Sequence, residues 1–332
     1  MVAVEGSVGK PPERNPPDAL EHIRADLAAV LRTRVGGVRP IPEGHSGFTY
    51  WVDLGSDQVV MRLPPPGARI AGAADIPRQG RMLTSLHRAG LPVPGVVAMS
   101  DEPVVDGRPF YLIEAVDGRR IERIAGEVPD LEIARSAVDV LHRLQLVPLA
   151  ESGIGSEPPT TLDQEIDRWV WLMARAPEEL TAGAPAAEAI LRQTRPPERP
   201  PVLVHGDYHY GNMLFAPGGR IVALLDWEIA EVGQPLLDLA CLCVVARAGH
   251  GDIGPIPGGG TVTVPERELL DLYGADPAEF RWYLALTYFK YASIFGYNLM
   301  LHRRGKRPDP IYETRTTTIT AFIDEAGHLL GG

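Results

Sequence analysis

The hydrophobic pattern of this chain changes period near residue 116, and that change restricts the folds open to it. A helical repeat over residues 18–32 (Leu20, Ile23, Leu27, Val30, Leu31) comes first. The spacing then predicts short strands at 39–41, 49–54 and 58–63, separated by glycine-containing turns. A helix over 75–89, closed by Gly90 and Pro92, precedes strands at 96–99 and 110–116. Beyond Asp117 helical spacing dominates: 131–146, 162–174, 185–193, 236–248, 265–273, 277–303 and 312–330. One interruption breaks that half, where a proline-rich stretch at 195–201 leads into strands at 202–205, 213–215 and 221–225. The expected architecture is α+β: a polar flexible tail at 1–16, a small antiparallel β-rich N-terminal lobe at 17–116, and a larger, mainly helical C-terminal lobe at 117–332. A Gly/Pro-rich loop is expected at 249–263.

Bulk properties narrow the function classes. With 332 residues and 45% hydrophobic content, the chain can bury one large core or two medium ones. A net charge of −11 argues against nucleic acid, whose phosphates demand a basic surface. No apolar run reaches membrane-spanning length, and the polar N-terminal stretch lacks the apolar centre of a signal peptide. Cys241 and Cys243 sit one residue apart in an apolar helical run and read as core, neither a disulfide framework nor a zinc site; a reducing cytoplasm suits them. Lysine occurs only at 10, 290 and 306, and every other one of the 32 basic residues is arginine, which reads as a coding bias.

The chemistry concentrates in His205-Gly206-Asp207-Tyr208-His209-Tyr210-Gly211-Asn212, followed by Asp226-Trp227-Glu228 at the end of the next apolar strand. Taken singly, Asp207 reads as a solvated loop acid and Asp226 as a strand-ending turn residue. Taken together they fit phosphoryl transfer, which needs a carboxylate to orient the attacking hydroxyl and oxygen ligands to hold Mg²⁺ against the phosphates. Asp207 suits the first role. Asn212 and Asp226 suit the second, because Mg²⁺ prefers hard oxygen donors and keeps several waters.

These motifs resemble the aminoglycoside phosphotransferase-like family, whose fold is similar to that of protein kinases. The family's His-Gly-Asp-x-x-x-x-Asn loop stands at 205–212, its metal-binding Asp motif at 225–228, and its Gly-x-Pro-x-x-Asp-Leu-Ala at 233–240. The likeness extends over 44–63, 110–118 and 265–303. The Asp-Trp-Glu variant, with residues 283–290, is similar to the subfamily found alone in bacteria or fused to acyl-CoA dehydrogenases. The resemblance implies a kinase that moves the γ-phosphate of Mg·ATP onto a hydroxyl of a small molecule, an aminoglycoside-like antibiotic or an endogenous metabolite, with the nucleotide between the lobes. It further implies that Ser46 and Gly47, in Gly44-His45-Ser46-Gly47, cover the phosphates. On the residues alone that stretch is a plain hairpin turn. The backbone of Glu114 and Val116 would meet the adenine edge, and His205 and Asp238 would brace the loop. His209 reads as a loop or substrate contact. Gly206 replaces the arginine of phospho-switched protein kinases. Asp271, Asp276, Glu279 and Glu313 are acceptor-site candidates for a cationic antibiotic, and the aromatic helix at 280–291 reads as core.

One departure stands out. Kinase-like enzymes hold the phosphates with a strand lysine paired to a helix glutamate. Here Arg62 occupies the strand position and Gln79 the helix position. Arginine is always charged and can grip phosphate through its fork, and the Gln79 amide oxygen can accept a hydrogen bond. An active kinase with an Arg–Gln clamp is one reading; a degenerate kinase fold that binds nucleotide without catalysis is the other. The presence of Asp207, Asn212 and Asp226 together favours the first.

Overall fold

The computed structural model of the protein describes residues 17–41, 48–247 and 261–331. The tail at 1–16, Ser46 and Gly47 of the expected phosphate loop, and most of the 249–263 loop lie outside the described residues. Contacts divide the chain into two units. The first comprises the chain through Asp117 together with Ala150–Gly155 and Val222–Ile229; the second holds the rest. This differs from a single cut at 116, because the segment carrying Asp226 belongs to the first unit.

In the first unit, alternation builds the sheet. Along β3 (Asp57–Leu63), Val59, Met61 and Leu63 are buried, while the residues between them lie at the surface or half-buried. β1 (Val35–Pro40), β2 (Phe48–Leu54), β3, β4 (Val96–Val105) and β5 (Arg108–Glu114) form one antiparallel sheet in the order β1-β2-β3-β5-β4. Ile23 and Leu27 of α1 (Pro17–Leu31) close a core with Tyr50, Val52, Met61, Phe110 and Leu112. α2 (Ile76–Arg88) starts at Asp75, whose carboxylate accepts the Arg78 N–H at 2.9 Å, with proline in its first turn. It lies close to the sheet at Gly80, where an added Cβ would sit 3.1 Å from the Met99 methyl. β4 runs six residues past the expected strand end. Its polar second half reaches a tight turn at Asp106-Gly107, both with positive φ (49° and 65°).

The second unit is mainly helical: α3 (Asp130–Gln145), α4 (Leu162–Met173), α5 (Ala184–Gln193), α6 (Leu236–Arg247), α7 (Glu266–Tyr273), α8 (Pro277–Arg303) and α9 (Thr316–Gly331), the last preceded by a 3₁₀ turn at Pro310–Arg315. α6 is buried on every face except at Arg247, as expected of an interior helix, and it contains both cysteines. Most of α8 is buried too, and it packs on α4, α6 and α9. Two short strands, β6 (Val202–Val204) and β9 (Glu231–Gly233), pair antiparallel. β7 (Met213–Phe215) follows the 205–212 loop, and β8 (Ile221–Leu224) delivers Asp226. No described helix is long and apolar enough to cross a membrane.

Candidate active site

The 205–212 loop is held from behind by α6. The buried Asp238 carboxylate accepts the N–H groups of His205 (2.8 Å) and Gly206 (2.9 Å), and the His205 ring nitrogen Nδ1 accepts the Asp207 N–H at 3.2 Å. Gly206 has φ of +84°, a conformation that costs side-chain-bearing residues. The loop ends in a 3₁₀ turn, Tyr210–Asn212, where the Gly211 N–H donates to His209 Nδ1 at 3.1 Å. That bond places the His209 proton on Nε2, which faces the Asp207 carboxylate at 3.4 Å.

Asp207 is therefore tightly specified. Its Oδ1 accepts from the Tyr291 hydroxyl at 2.9 Å, and its Oδ2 from the Asn212 amide at 3.1 Å. The same amide nitrogen donates to the Asp207 carbonyl at 2.9 Å. Burial pushes the carboxyl up, but the hydrogen bond from His209, the Lys290 charge and the Tyr291 hydroxyl outweigh it and hold the group well below the usual carboxylate range. Asp207 is thus an ionised acceptor with 29% of its side chain still exposed. The Asn212 contacts to the Asp207 carbonyl, the Asp207 carboxylate and His209 Nε2 all use its amide nitrogen, and its carbonyl oxygen is a hard donor of the kind Mg²⁺ takes.

The second group of residues lies in the first unit. Arg62 projects from β3 opposite Tyr111 of β5. Its guanidinium donates to Glu228 at 2.9 Å and, more loosely, to Asp226 at 3.5 Å. Burial works against its charge, but Tyr111, Asp226 and Glu228 more than restore it, and it stays a cation. Asp226 is one of the few non-glycine residues with positive φ (64°), a strain that clusters at functional sites. The Trp227 indole pins this turn by donating to the Leu224 carbonyl at 3.0 Å. Asp226, with 35% of its side chain exposed, can meet a hard cation with waters still attached.

Gln79 is turned to other partners. Its amide nitrogen donates to the Ala73 carbonyl at 2.9 Å, and its oxygen lies 3.5 Å from the Tyr111 hydroxyl. The acid that faces the strand cation is thus Glu228, two residues beyond Asp226, and not a residue of α2. Glu228 was read from sequence only as part of the Asp-Trp-Glu motif, and Tyr111 was not singled out at all. An acid at period two from Asp226 in an otherwise apolar run was the available signal for the first. Tyr291 and Lys290 were also missed, because they are embedded in the aromatic repeat of α8.

Glu114 ends β5, where its N–H donates to the Gly95 carbonyl (2.9 Å) and its carboxylate accepts the Gly95 N–H (3.2 Å). Val116 follows, half-buried. The acidic acceptor candidates have local partners. Asp276 caps α8, Glu279 pairs with Arg199, Glu313 with Arg303, and Asp271 lies 3.9 Å from Arg267. Phe280, Trp282, Tyr283, Tyr288 and Phe289 are buried core.

Comparison with known proteins gives this geometry a setting. Residues 37–283 match the phosphotransferase enzyme family. Acyl-CoA dehydrogenase family member 10 of Mus musculus is 30% identical over 69% of this chain and 22% of its own length. Acyl-CoA dehydrogenase family member 11 of Homo sapiens is 28% identical over 76% of this chain and 34% of its own length. The chain therefore spans only about a quarter to a third of the curated relatives it matches. A Ralstonia eutropha JMP134 protein provisionally named an aminoglycoside phosphotransferase superposes with a TM-score of 0.75 at 22% identity, over 92% of this chain and 97% of its own. Aminoglycoside phosphotransferase APH(4)-Ia, in a ternary complex with AMP-PNP and hygromycin B, superposes at 0.63 with 18% identity, over 93% and 99%. The fold is kinase-like, with an antiparallel sheet in the N-terminal part and a helical C-terminal part.

Proposed function

Because the chain belongs to the phosphotransferase enzyme family, we propose that it transfers the γ-phosphoryl group of Mg·ATP to a hydroxyl of a small molecule. The observation that carries this reading is the Asp207 carboxylate, kept ionised by three donors yet partly open to solvent. It is built to accept a hydrogen bond from an acceptor hydroxyl and to take its proton as the new O–P bond forms and ADP leaves. Asn212 and Asp226 would hold Mg²⁺, which supplies charge neutralisation at the phosphates. Arg62, with Ser46 and Gly47, would bind the phosphates, and the backbone of Glu114 and Val116 the adenine. His205 and Asp238 serve the loop.

Structural relatives hold ADP, AMP-PNP or GDP, which supports nucleotide use and puts both ATP and GTP in the assay. Relatives that bear the acyl-CoA dehydrogenase name bring hydroxyacyl thioesters into the acceptor panel, beside aminoglycosides, sugars and amino alcohols. Substrate-dependent ADP release across that panel tests the reading. Asp207→Ala should abolish transfer, a loss of about 10²-fold or more, while leaving nucleotide affinity near wild type. Turnover retained within a few-fold (about threefold) would remove Asp207 from the role.

A further inference from the structure

Two consecutive residues of α8 hold adjacent residues of the loop, one by its backbone and the other by its side chain. The Lys290 ammonium donates to the Gly206 carbonyl, the atom just before Asp207, and lies 3.5 Å from Cys241 Sγ and 5.3 Å from the Trp169 ring. The Tyr291 hydroxyl donates to Asp207 Oδ1 at 2.9 Å. Both side chains are more than nine-tenths buried. Burying an ammonium is costly unless it is paired and hydrogen-bonded, so its presence here needs a reason beyond packing.

Composition sharpens the point. Of the 32 basic residues only three are lysine, and arginine stands almost everywhere else, including the strand position 62. Lysine stands at 290, where a compact ammonium fits between a carbonyl, a thiol and an indole face. A planar, longer guanidinium has a different shape and donor geometry. Burial first, and then the Asp207 carboxylate and Cys241, push the Tyr291 phenol well above its ordinary value, so it remains a neutral donor.

With Tyr291 on Oδ1 and Asn212 on Oδ2, the carboxylate plane is restrained from both sides, and the peptide that carries it is anchored by Lys290. We propose that Lys290 and Tyr291 are positioning residues that aim the Asp207 carboxylate at the acceptor hydroxyl. The proposal rests on the phosphotransfer reading above. A hydroxyl must meet the base at hydrogen-bond distance and in line with the phosphorus, so a freed carboxylate lowers turnover without touching nucleotide binding.

The test compares wild type with Tyr291→Phe, Lys290→Arg and Lys290→Met in the full chain. It measures kcat for transfer to an acceptor or to water, KM for Mg·ATP, and Tm. Tyr291→Phe is expected to lower kcat by about 10- to 100-fold, with KM for the nucleotide and Tm close to wild type. Lys290→Arg should lose kcat to a similar degree although it keeps the charge. A tyrosine that only packs would leave kcat and Tm both unchanged, because phenylalanine keeps the ring. A Tyr291→Phe kcat within about twofold of wild type overturns the proposal. If the Lys290 variants fail to fold, Tyr291→Phe, which removes a single oxygen, still decides. Failure of the phosphotransfer reading has a different signature: the wild type itself neither binds nor turns over nucleotide.

Discussion

At Arg62 two carboxylates share one guanidinium, Glu228 at 2.9 Å and Asp226 at 3.5 Å. The Glu228 side chain is only 8% exposed, so removing the cation takes a guanidinium away from a buried carboxylate. Breaking a buried pair from one side costs about 3–5 kcal/mol. Arg62→Ala is therefore expected to lose stability of that order in metal-free buffer. Mg²⁺ should return part of it, since a divalent cation replaces the missing counter-charge at Asp226. Urea unfolding with and without Mg²⁺ measures both effects. An identical loss in the two buffers would mean that these carboxylates meet no metal. The arginine at 62 and the missing acid at 79 were legible in the sequence. That Glu228 supplies the counter-charge was not, because the pair is 166 residues apart.

Between α4 and β9 a buried acidic pair makes an element-level contact sensitive to pH. Arg168 of α4 bridges Glu165 (2.8 Å) and Glu231 of β9 (2.6 Å), and the Thr160 hydroxyl donates to Glu231 at 3.0 Å. Burial, then the adjacent Glu165 carboxylate, push Glu231 from an ordinary 4.5 up to about 8, against the pull of Arg168. A carboxyl with a raised folded value binds its proton more tightly in the native state than in the unfolded one. Its contribution is thus fully present below about pH 4.5 and is lost as pH rises toward 8. Stability should fall by up to about 1.4 kcal/mol per pH unit inside that window. Glu231→Gln should flatten the slope. Melting temperatures at several pH values between those limits check this, and a Gln variant that tracks the wild-type profile would exonerate Glu231. β9 itself escaped the sequence reading: three residues ending on the glycine of a Gly-x-Pro motif offer no period to detect. The extension of β4 escaped because Ser100-Asp101-Glu102-Pro103 has loop composition, and pairing with β5 carries that edge strand on to the Asp106-Gly107 turn.

Over the whole molecule, the sheet unit and the helical unit each enclose their own buried apolar side chains. A ligand that binds only the native chain raises its stability by mass action. Mg·ATP at about a hundred times its Kd should stabilise the native chain by about 2.7 kcal/mol. Asp207→Ala should keep this thermal shift, because the residue is assigned to the acceptor, whereas Arg62→Ala should diminish it. A wild-type melting temperature indifferent to Mg·ATP would remove nucleotide binding altogether. A full shift without any transfer across the acceptor panel would favour the nucleotide-binding relic over the enzyme.

The sequence by itself determined the α+β division, most helices and strands to within one or two residues, and the motif spacing that places Asp207, Asn212 and Asp226 in one chemical family of sites. Each of these is local: a period repeats over a few turns, and a loop motif spans eight residues. Tertiary structure alone decided which side chains meet. Tyr291 reaches Asp207 across 84 residues, and it looks like one more aromatic in an apolar repeat until α8 lies against the loop. Asp226 falls in the unit of the sheet although it follows most of the helices in the chain. Partners so far apart are chosen by the packing of elements, which no local period encodes.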